Sequence, residues 1–431
     1  MKKRVLSVLL AIVMVVGMFP VTAGALPAPH THPVCGATHS DIGDHTDTCE
    51  AVEWTAWNGT TDITYTDGTA YVYLSADVSL SGALVVGANQ TLYLCLNDHV
   101  LDYNGNSASG TITVRDGGVL YLTDCCTAPT TRYGQWNEAN TVYTISTSQP
   151  DGGSFDTLTG GVITGGGYSA NLSSQTYYGG GVWVYNGTFY MYGGTIAGNT
   201  AFGPGGGVHV DDAADGKYGI FYMYDGTITG NRAANGGGID VFEGTFYMYG
   251  GTIAGNTATG STGGGGVYVS ESEFHMSGGS ITDNRATANG GGVVLSYSNK
   301  SKFNMSGGSI TGNSADKNGG GVYAPSSAYI TVSGAPKIIN NTKGAGDSAP
   351  ANNLVPESYF RFTVSGTLGT GASIGIFRTA AGRFSAGGAD SVSYFSSDNA
   401  GYKVEASGEN LTLVSVAVRH RRIAEREQPY S

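Results

Sequence analysis

Between residues 187 and 201 the chain reads GTFYMYGGTIAGNTA, and its apolar and polar side chains alternate with a period of two. In T-F-Y-M-Y, Phe189 and Met191 share one face, while Tyr190 and Tyr192 share the other. Runs this short, rich in aromatic and β-branched residues and punctuated by Gly and Asn, predict strands. The G-G-G-V-W-V-Y run from Gly179 alternates in the same way. No stretch beyond the first 25 residues carries a helical stripe.

The same fifteen letters return unchanged from Gly244 to Ala258, with looser copies around them. Phe189, Phe221, Phe246, Phe274 and Phe303 form one column, and Met191, Met223, Met248, Met276 and Met305 follow two residues later. Next come Ile196, Ile228, Ile253, Ile281 and Ile310, each followed three residues on by Asn199, Asn231, Asn256, Asn284 and Asn313. A glycine-rich step opens a third segment at Val182, Val208, Ile239, Val267, Val293 and Val322. A fixed core with variable gaps is the signature of stacked coils with unequal loops. The expected fold is all-β: a right-handed, single-stranded parallel β-helix (a solenoid) with about three short strands per coil of about 28 residues. One coil cannot bury its apolar row alone, so Phe stacks on Phe, Met on Met and Ile on Ile. The Asn after Gly is placed to turn inward and bond the backbone of neighbouring turns.

The array extends beyond its clearest copies. Thr91-Leu92-Tyr93-Leu94 recurs 28 residues later as Val119-Leu120-Tyr121-Leu122, and Phe360 to Phe377 alternates again. The layout expected is a signal peptide at 1–25, a His/Cys-rich segment at 26–60 and N-terminal coils at 61–126. A loop at 127–150, the repeat β-helix at 151–342, C-terminal coils and cap at 343–418, and a disordered basic tail at 419–431 complete it.

Composition narrows the function. The segment MKKRVLSVLLAIVMVVGMFPVTAGA has the positive start, apolar run and small-residue A-G-A end of a secretion signal. That predicts a secreted or cell-surface protein, with no transmembrane segment once the signal is removed. Between residues 26 and 418 there are 14 Lys/Arg against 31 Asp/Glu, and an acidic body of this kind excludes nucleic acid as a partner.

Candidate chemistry sits on the outward faces. Tyr190, Tyr222 and Tyr247 form one exposed column and Tyr192, Tyr224 and Tyr249 a second, joined by Trp183 on the Val strand. Flat aromatic rings offer a platform to sugars or to an apolar partner surface; the alternative is that they only strengthen the sheet. The columns lapse into His275/Ser277 and Asn304/Ser306. On the Val strand the outward column is Trp183, His209, Asp240, Tyr268, Val294 and Tyr323. His209, Asp211 and Asp240 are the candidate acid–base set, and solvated acidic loops are the plainer reading. His30, His32, Cys35, His39, His45 and Cys49 are zinc-type ligands in one 20-residue window, though their spacing fits no standard finger. A zinc ion, a Cys35–Cys49 disulfide and an unligated segment are the three readings, and no cofactor is required. Of Cys95, Cys125 and Cys126, an internal disulfide would join Cys95 to one of the other two.

The glycine-rich aliphatic step coupled to Ile-x-x-Asn resembles the repeats of bacterial β-helix surface proteins and adhesins, and is similar to those of polymorphic outer-membrane proteins. The layout resembles surface proteins of gut Firmicutes more closely. There, a start like His30-Thr31-His32-Pro33-Val34-Cys35-Gly36 precedes a strand like Leu94-Cys95-Leu96-Asn97-Asp98-His99 and then the coils. The likeness covers about residues 30 to 410 and implies a cell-surface, adhesin-like role. No C-terminal barrel or sortase-type signal accompanies it, which leaves the mode of attachment open, as the abrupt basic ending leaves open whether the chain is truncated. The expected function is therefore binding of host or bacterial surface glycans or proteins through exposed faces of the solenoid. A polysaccharide lyase or glycoside hydrolase on the same scaffold is the first alternative, and a passive stalk the second.

Overall fold

Period-two alternation leaves each strand with one apolar row, and that row is buried only when like rows stack upon it. The computed structural model describes residues 31–33, 51–104, 110–126, 128–137, 142–166, 179–213, 216–346, 348–357 and 361–416. It is nearly all-β, a parallel β-solenoid of about nine turns repeating about every 28 residues.

The chain divides into two units, Met1–Trp54 and Thr55–Ser431. In the first, Thr31–Pro33 pairs antiparallel with Ala51–Glu53. The expected signal segment, the basic tail and His30, Cys35, His39, His45 and Cys49 lie outside the described residues. His32 belongs to the Thr31–Pro33 strand, and its side chain also lies outside them.

The second unit is the solenoid, and it begins at the Thr55–Trp57 strand, inside the segment expected to precede the coils. Its Phe-Met strands stack in parallel: Thr188–Met191 on Ile220–Met223, then Thr245–Met248, Glu273–Met276 and Lys302–Met305. Phe189, Phe221, Phe246, Phe274 and Phe303 lie face to face with centroids 4.7–4.9 Å apart, all fully buried. Upstream the same column continues as Leu120 and Leu92. Ile strands and Val strands form the other walls, with Ile196 on Ile228 and Val182 on Val208 as examples. Val162–Thr164 continues the Ile stack, in which Val100–Tyr103 and Val78–Leu80 precede it.

A fourth short strand runs alongside these three in the central coils. Arg232–Asn235, Thr257–Gly263, Arg285–Ala286, Ser314–Ala315 and Thr342–Lys343 pair in parallel. Its inward row is Ala233, Ala258, Ala286 and Ala315, each two residues after a ladder Asn and each buried.

The corner between fourth strand and Val strand explains the glycine triplets. A Cβ on Gly238 would lie 2.7 Å from the Gly266 carbonyl oxygen and 3.0 Å from Asn256 Nδ2. The neighbouring coil's backbone and the Asn256 and Ile253 side chains leave no room there for a side chain at this position.

Each Asn turns inward as expected and also bonds its neighbour. Asn231 donates its backbone N–H and its side-chain amide to Asn256 Oδ1, both at 3.0 Å, and a further amide bond to the Ile196 carbonyl at 2.9 Å. The same pattern joins Asn199, Asn231, Asn256, Asn284, Asn313, Asn341 and Asn353. Asn341, two residues after the Lys337–Ile339 strand, takes the ladder position there; Asn340 occupies the left-handed corner before it, at φ 58°.

Residues 127–150 were expected to form a loop, and the structure corrects this. Thr131–Trp136 pairs antiparallel with Tyr143–Ser146 on one side and Asp156–Thr159 on the other. This three-stranded arm is inserted between a Phe-type strand, Val119–Thr123, and an Ile strand, Val162–Thr164. At the far end, Tyr402–Ser407 and Asn410–Ser415 form an antiparallel hairpin against Gly382–Gly388.

Candidate functional site

The arm folds back onto the Ile-strand wall, and aromatic anchors hold it there. Trp136 Nε1 donates to the Gly230 carbonyl at 2.8 Å, and the Arg232 guanidinium lies 4.6 Å from the centre of the Trp136 ring. Tyr143 packs edge-on against Trp136 and donates its hydroxyl to Asp156 Oδ2 at 2.7 Å. A Cβ on Gly198 would lie 1.9 Å from the Tyr143 ring, so the corner glycine of this coil gives the tyrosine its seat. Leu158, Val162 and Ala197 form a small apolar cluster under the arm, with Ile145 and Tyr143 against it.

Between arm and coils lies a cleft of about 610 Å³. Asp77 and Asp102 reach it from the solenoid, and Arg132, Trp136, Tyr143 and Ser146 from the arm. Its lining mixes the apolar side chains Val78, Val100 and Ile145 with carboxylates and hydroxyls, and concave surfaces with convergent polar groups are where small ligands bind. Burial pushes the Asp102 carboxyl above the ordinary carboxylate range, only partly offset by the Tyr103 N–H. Asp77 is exposed, and its Oδ1 accepts the Val100 N–H at 2.9 Å.

Arg132 does not offer its charge to the cleft. Its Nη1 donates to Asp98 Oδ1 at 2.9 Å and to the Gly160 carbonyl at 2.8 Å, and Nη2 to the Asp98 carbonyl. Burial alone would raise the Asp98 carboxyl, but hydrogen bonds from Thr130 and Arg132 outweigh it and hold it below the ordinary range. Asp77 and Asp102 are thus the acidic side chains in the lining, and Asp77 Oδ1 also lies 3.3 Å from His99 Nδ1.

The tyrosine columns exist, and the first is longer than expected. Tyr71, Tyr93, Tyr121, Tyr190, Tyr222, Tyr247 and His275 stack in one row, with neighbouring centroids 4.3–5.0 Å apart. Tyr192, Tyr224 and Tyr249 form the second, at 4.8 and 4.9 Å. Stacking at this distance covers the faces of the rings, so the row turns edges and hydroxyls outward rather than flat platforms. Tyr249 is the most open, being exposed and followed in the next coil by Ser277. Burial first, and neighbouring phenols second, raise the hydroxyls of Tyr190 and Tyr222, and push Tyr121 up to about 12.

The structure brings His209, Asp211 and Asp240 together, but closes off His209 and Asp240 and leaves Asp211 half-buried. His209 Nδ1 lies 3.2 Å from Asp240 Oδ1, and Nε2 lies 3.5 Å from Asp211 Oδ2. His209 and Asp240 are each only 1% exposed, so the expected outward column of solvated acids is instead a buried charge cluster. Val294 and Tyr323 of that column are buried too, and Trp183 and Tyr268 are half-buried. The reason lies in the incoming glycine: Gly205, at φ 74°, brings the chain so close that a Cβ would lie 2.6 Å from His209 Cβ. Burial alone would lower the His209 pKa, but the two carboxylates outweigh it and push it up to about 9. Burial raises Asp240, with His209 pulling the other way. None of the three lines the cleft.

Among the described residues, no group of three or more His, Cys, Asp or Glu is arranged to hold a metal ion. Asp77, Asp102, Trp136 and Tyr143 went unrecognised in the sequence. The available signal was the alternation in Thr131-Arg132-Tyr133-Gly134-Gln135-Trp136 and Val142-Tyr143-Thr144-Ile145, masked by the polar residues around it.

No protein-family model, curated protein or solved structure matches this chain.

Proposed function

We propose that the chain is an exported, adhesin-like cell-surface protein that binds glycans, with the cleft under the arm as its main contact. The observation that carries this reading is the convergence of Trp136, Tyr143, Asp77 and Asp102 on one cleft of about 610 Å³. Carboxylates bind sugar hydroxyls through paired hydrogen bonds, and aromatic side chains cover the apolar faces of sugars. The acidic lining favours neutral or amine-bearing sugars over uronic acids, because Arg132 is spent on Asp98. This speaks against a lyase acting on acidic polysaccharide. The tyrosine columns would add a secondary strip of hydroxyls alongside.

A glycan array tests the proposal. Binding to neutral or amine-bearing glycans should be lost on Trp136→Ala and retained when Tyr190, Tyr222 and Tyr247 all become Ala. Loss confined to the tyrosine variant would move the contact to the columns. A hydrolytic reading attaches to the same cleft, because burial raises the Asp102 carboxyl above the ordinary carboxylate range and Asp77 is a second carboxylate in its lining. Release of reducing ends, abolished by Asp102→Asn, would favour it over binding alone.

A further inference from the structure

The turn Leu94-Cys95-Leu96-Asn97-Asp98-His99 is the socket of the arm. Asn97 and Asp98 both sit in the left-handed region, at φ 49° and 62°, and Asn97 Nδ2 bonds the Leu74 carbonyl at 3.0 Å. This turn aims the Asp98 carboxylate outward at the arm root, where it accepts the Thr130 N–H at 2.9 Å, the Thr130 hydroxyl and Arg132. Asp124 completes the socket, accepting the Asp98 N–H at 2.9 Å and the Gly161 N–H at 2.7 Å. One turn thus grips the chain where it leaves the solenoid and where it returns.

Two cysteines frame this socket. Cys95 ends its strand directly before the turn and lies opposite Thr123 on the next coil. Cys125 follows Thr123 by two residues, at the point where the chain departs for the arm. Their Sγ atoms are 2.8 Å apart. Cys126 is not part of this contact.

We propose that Cys95 and Cys125 form a disulfide that fastens the root of the arm to the solenoid. The assignment is independent of what the cleft binds. The reaction needs a disulfide oxidant such as oxidised glutathione. Cys95 is fully buried and Cys125 half-buried, so the oxidant meets Cys125 first. The Cys125 thiolate attacks one glutathione sulfur and expels the other as a thiolate, leaving a mixed disulfide. Cys95 then attacks Cys125 Sγ, and its proton passes to the departing glutathione sulfur, which leaves as the second thiol. Two thiols are oxidised and one glutathione disulfide is reduced to two thiols. The bond closes a loop from residue 95 to residue 125 within the solenoid, and loops of this size limit the unfolded chain substantially. The neighbouring Cys95 thiol, and burial after it, raise the Cys125 pKa, so exchange should be slow at neutral pH and faster in alkali.

The test takes the purified full chain, reduces it, and oxidises it with oxidised glutathione. Chymotryptic peptides are then mapped by mass spectrometry without reduction. A linked peptide joining Cys95 to the Cys125–Cys126 segment is expected, absent in Cys125→Ser and kept in Cys126→Ser. Amide hydrogen exchange in Thr131–Trp136 should slow about tenfold or more on oxidation, which reads the fastening without any ligand. A link lost in Cys126→Ser and kept in Cys125→Ser would overturn the proposal. So would glutathione adducts with no link, or arm exchange equal in the two redox forms.

Discussion

Asn353 donates its backbone N–H and its side-chain amide to the two carboxylate oxygens of Asp398, at 2.7 and 2.8 Å. This contact ends the buried asparagine ladder. Every rung passes two donors in the same direction along the solenoid, so the last partner needs only to accept, and an aspartate suffices. Burial raises the Asp398 carboxyl, and the two Asn353 bonds partly offset it. Asp398→Ala should cost about 2–3 kcal/mol, because it strands two buried donors. Asp398→Asn, which keeps one acceptor, should cost about 1 kcal/mol. Urea unfolding midpoints check both.

Asn256→Ala probes the ladder at its centre. It removes the acceptor for the Asn231 N–H and amide, and the donor for the Ile228 carbonyl. Several orphaned buried groups together should cost about 3–5 kcal/mol, with hydrogen exchange rising first in the two adjoining coils.

Phe246 lies between Phe221 and Phe274 at 4.9 and 4.7 Å and is fully buried. Phe246→Ala should cost about 3–5 kcal/mol, and Phe246→Asp should disrupt its own coil and both neighbours. Thermal melts followed by circular dichroism measure this. An aspartate variant melting like the parent would contradict the inward assignment.

Stability should fall as pH rises across the neutral range. The His209 pKa is raised in the folded chain from 6.5 to about 9, so its contribution is fully present below pH 6.5 and is lost as pH climbs through about 9. Asp240 acts in the same sense at lower pH, since burial raises it above 3.8. The His209 contribution is at most about 3 kcal/mol, and His209→Gln should flatten the decline between pH 6.5 and 9. Unfolding midpoints of both proteins across that range give the comparison.

The solenoid was legible because its rule is local and repeated: Phe, Met, Ile and Asn recur at fixed offsets, and like residues can only be buried by stacking. The fourth strand was harder to see, since its inward row is a single alanine such as Ala233 or Ala258, too small to mark a period. The arm was illegible for a different reason. It occurs once, so no repeat reinforces the alternation around Trp136 and Tyr143. The partners that give those residues meaning, Gly230, Arg232 and Gly198, lie tens of residues away in sequence. His209 and Asp240 lie on the predicted column, but a period of two cannot say which outward positions the glycine corner will cover.

Tyr143→Phe should loosen the arm without unfolding the coils. It removes the hydroxyl that donates to the half-buried Asp156, at a cost of about 1–2 kcal/mol. Exchange of Tyr143–Ser146 amides should rise about tenfold, while exchange in Thr245–Met248 stays unchanged.

Hydrogen exchange of the full chain with and without an array-selected glycan locates the contact most directly. Protection concentrated in Thr131–Trp136, Tyr143–Ser146, Val100–Tyr103 and Val162–Thr164 is the predicted result. Protection confined to Thr188–Met191, Ile220–Met223 and Thr245–Met248, with the arm unaffected, would contradict it.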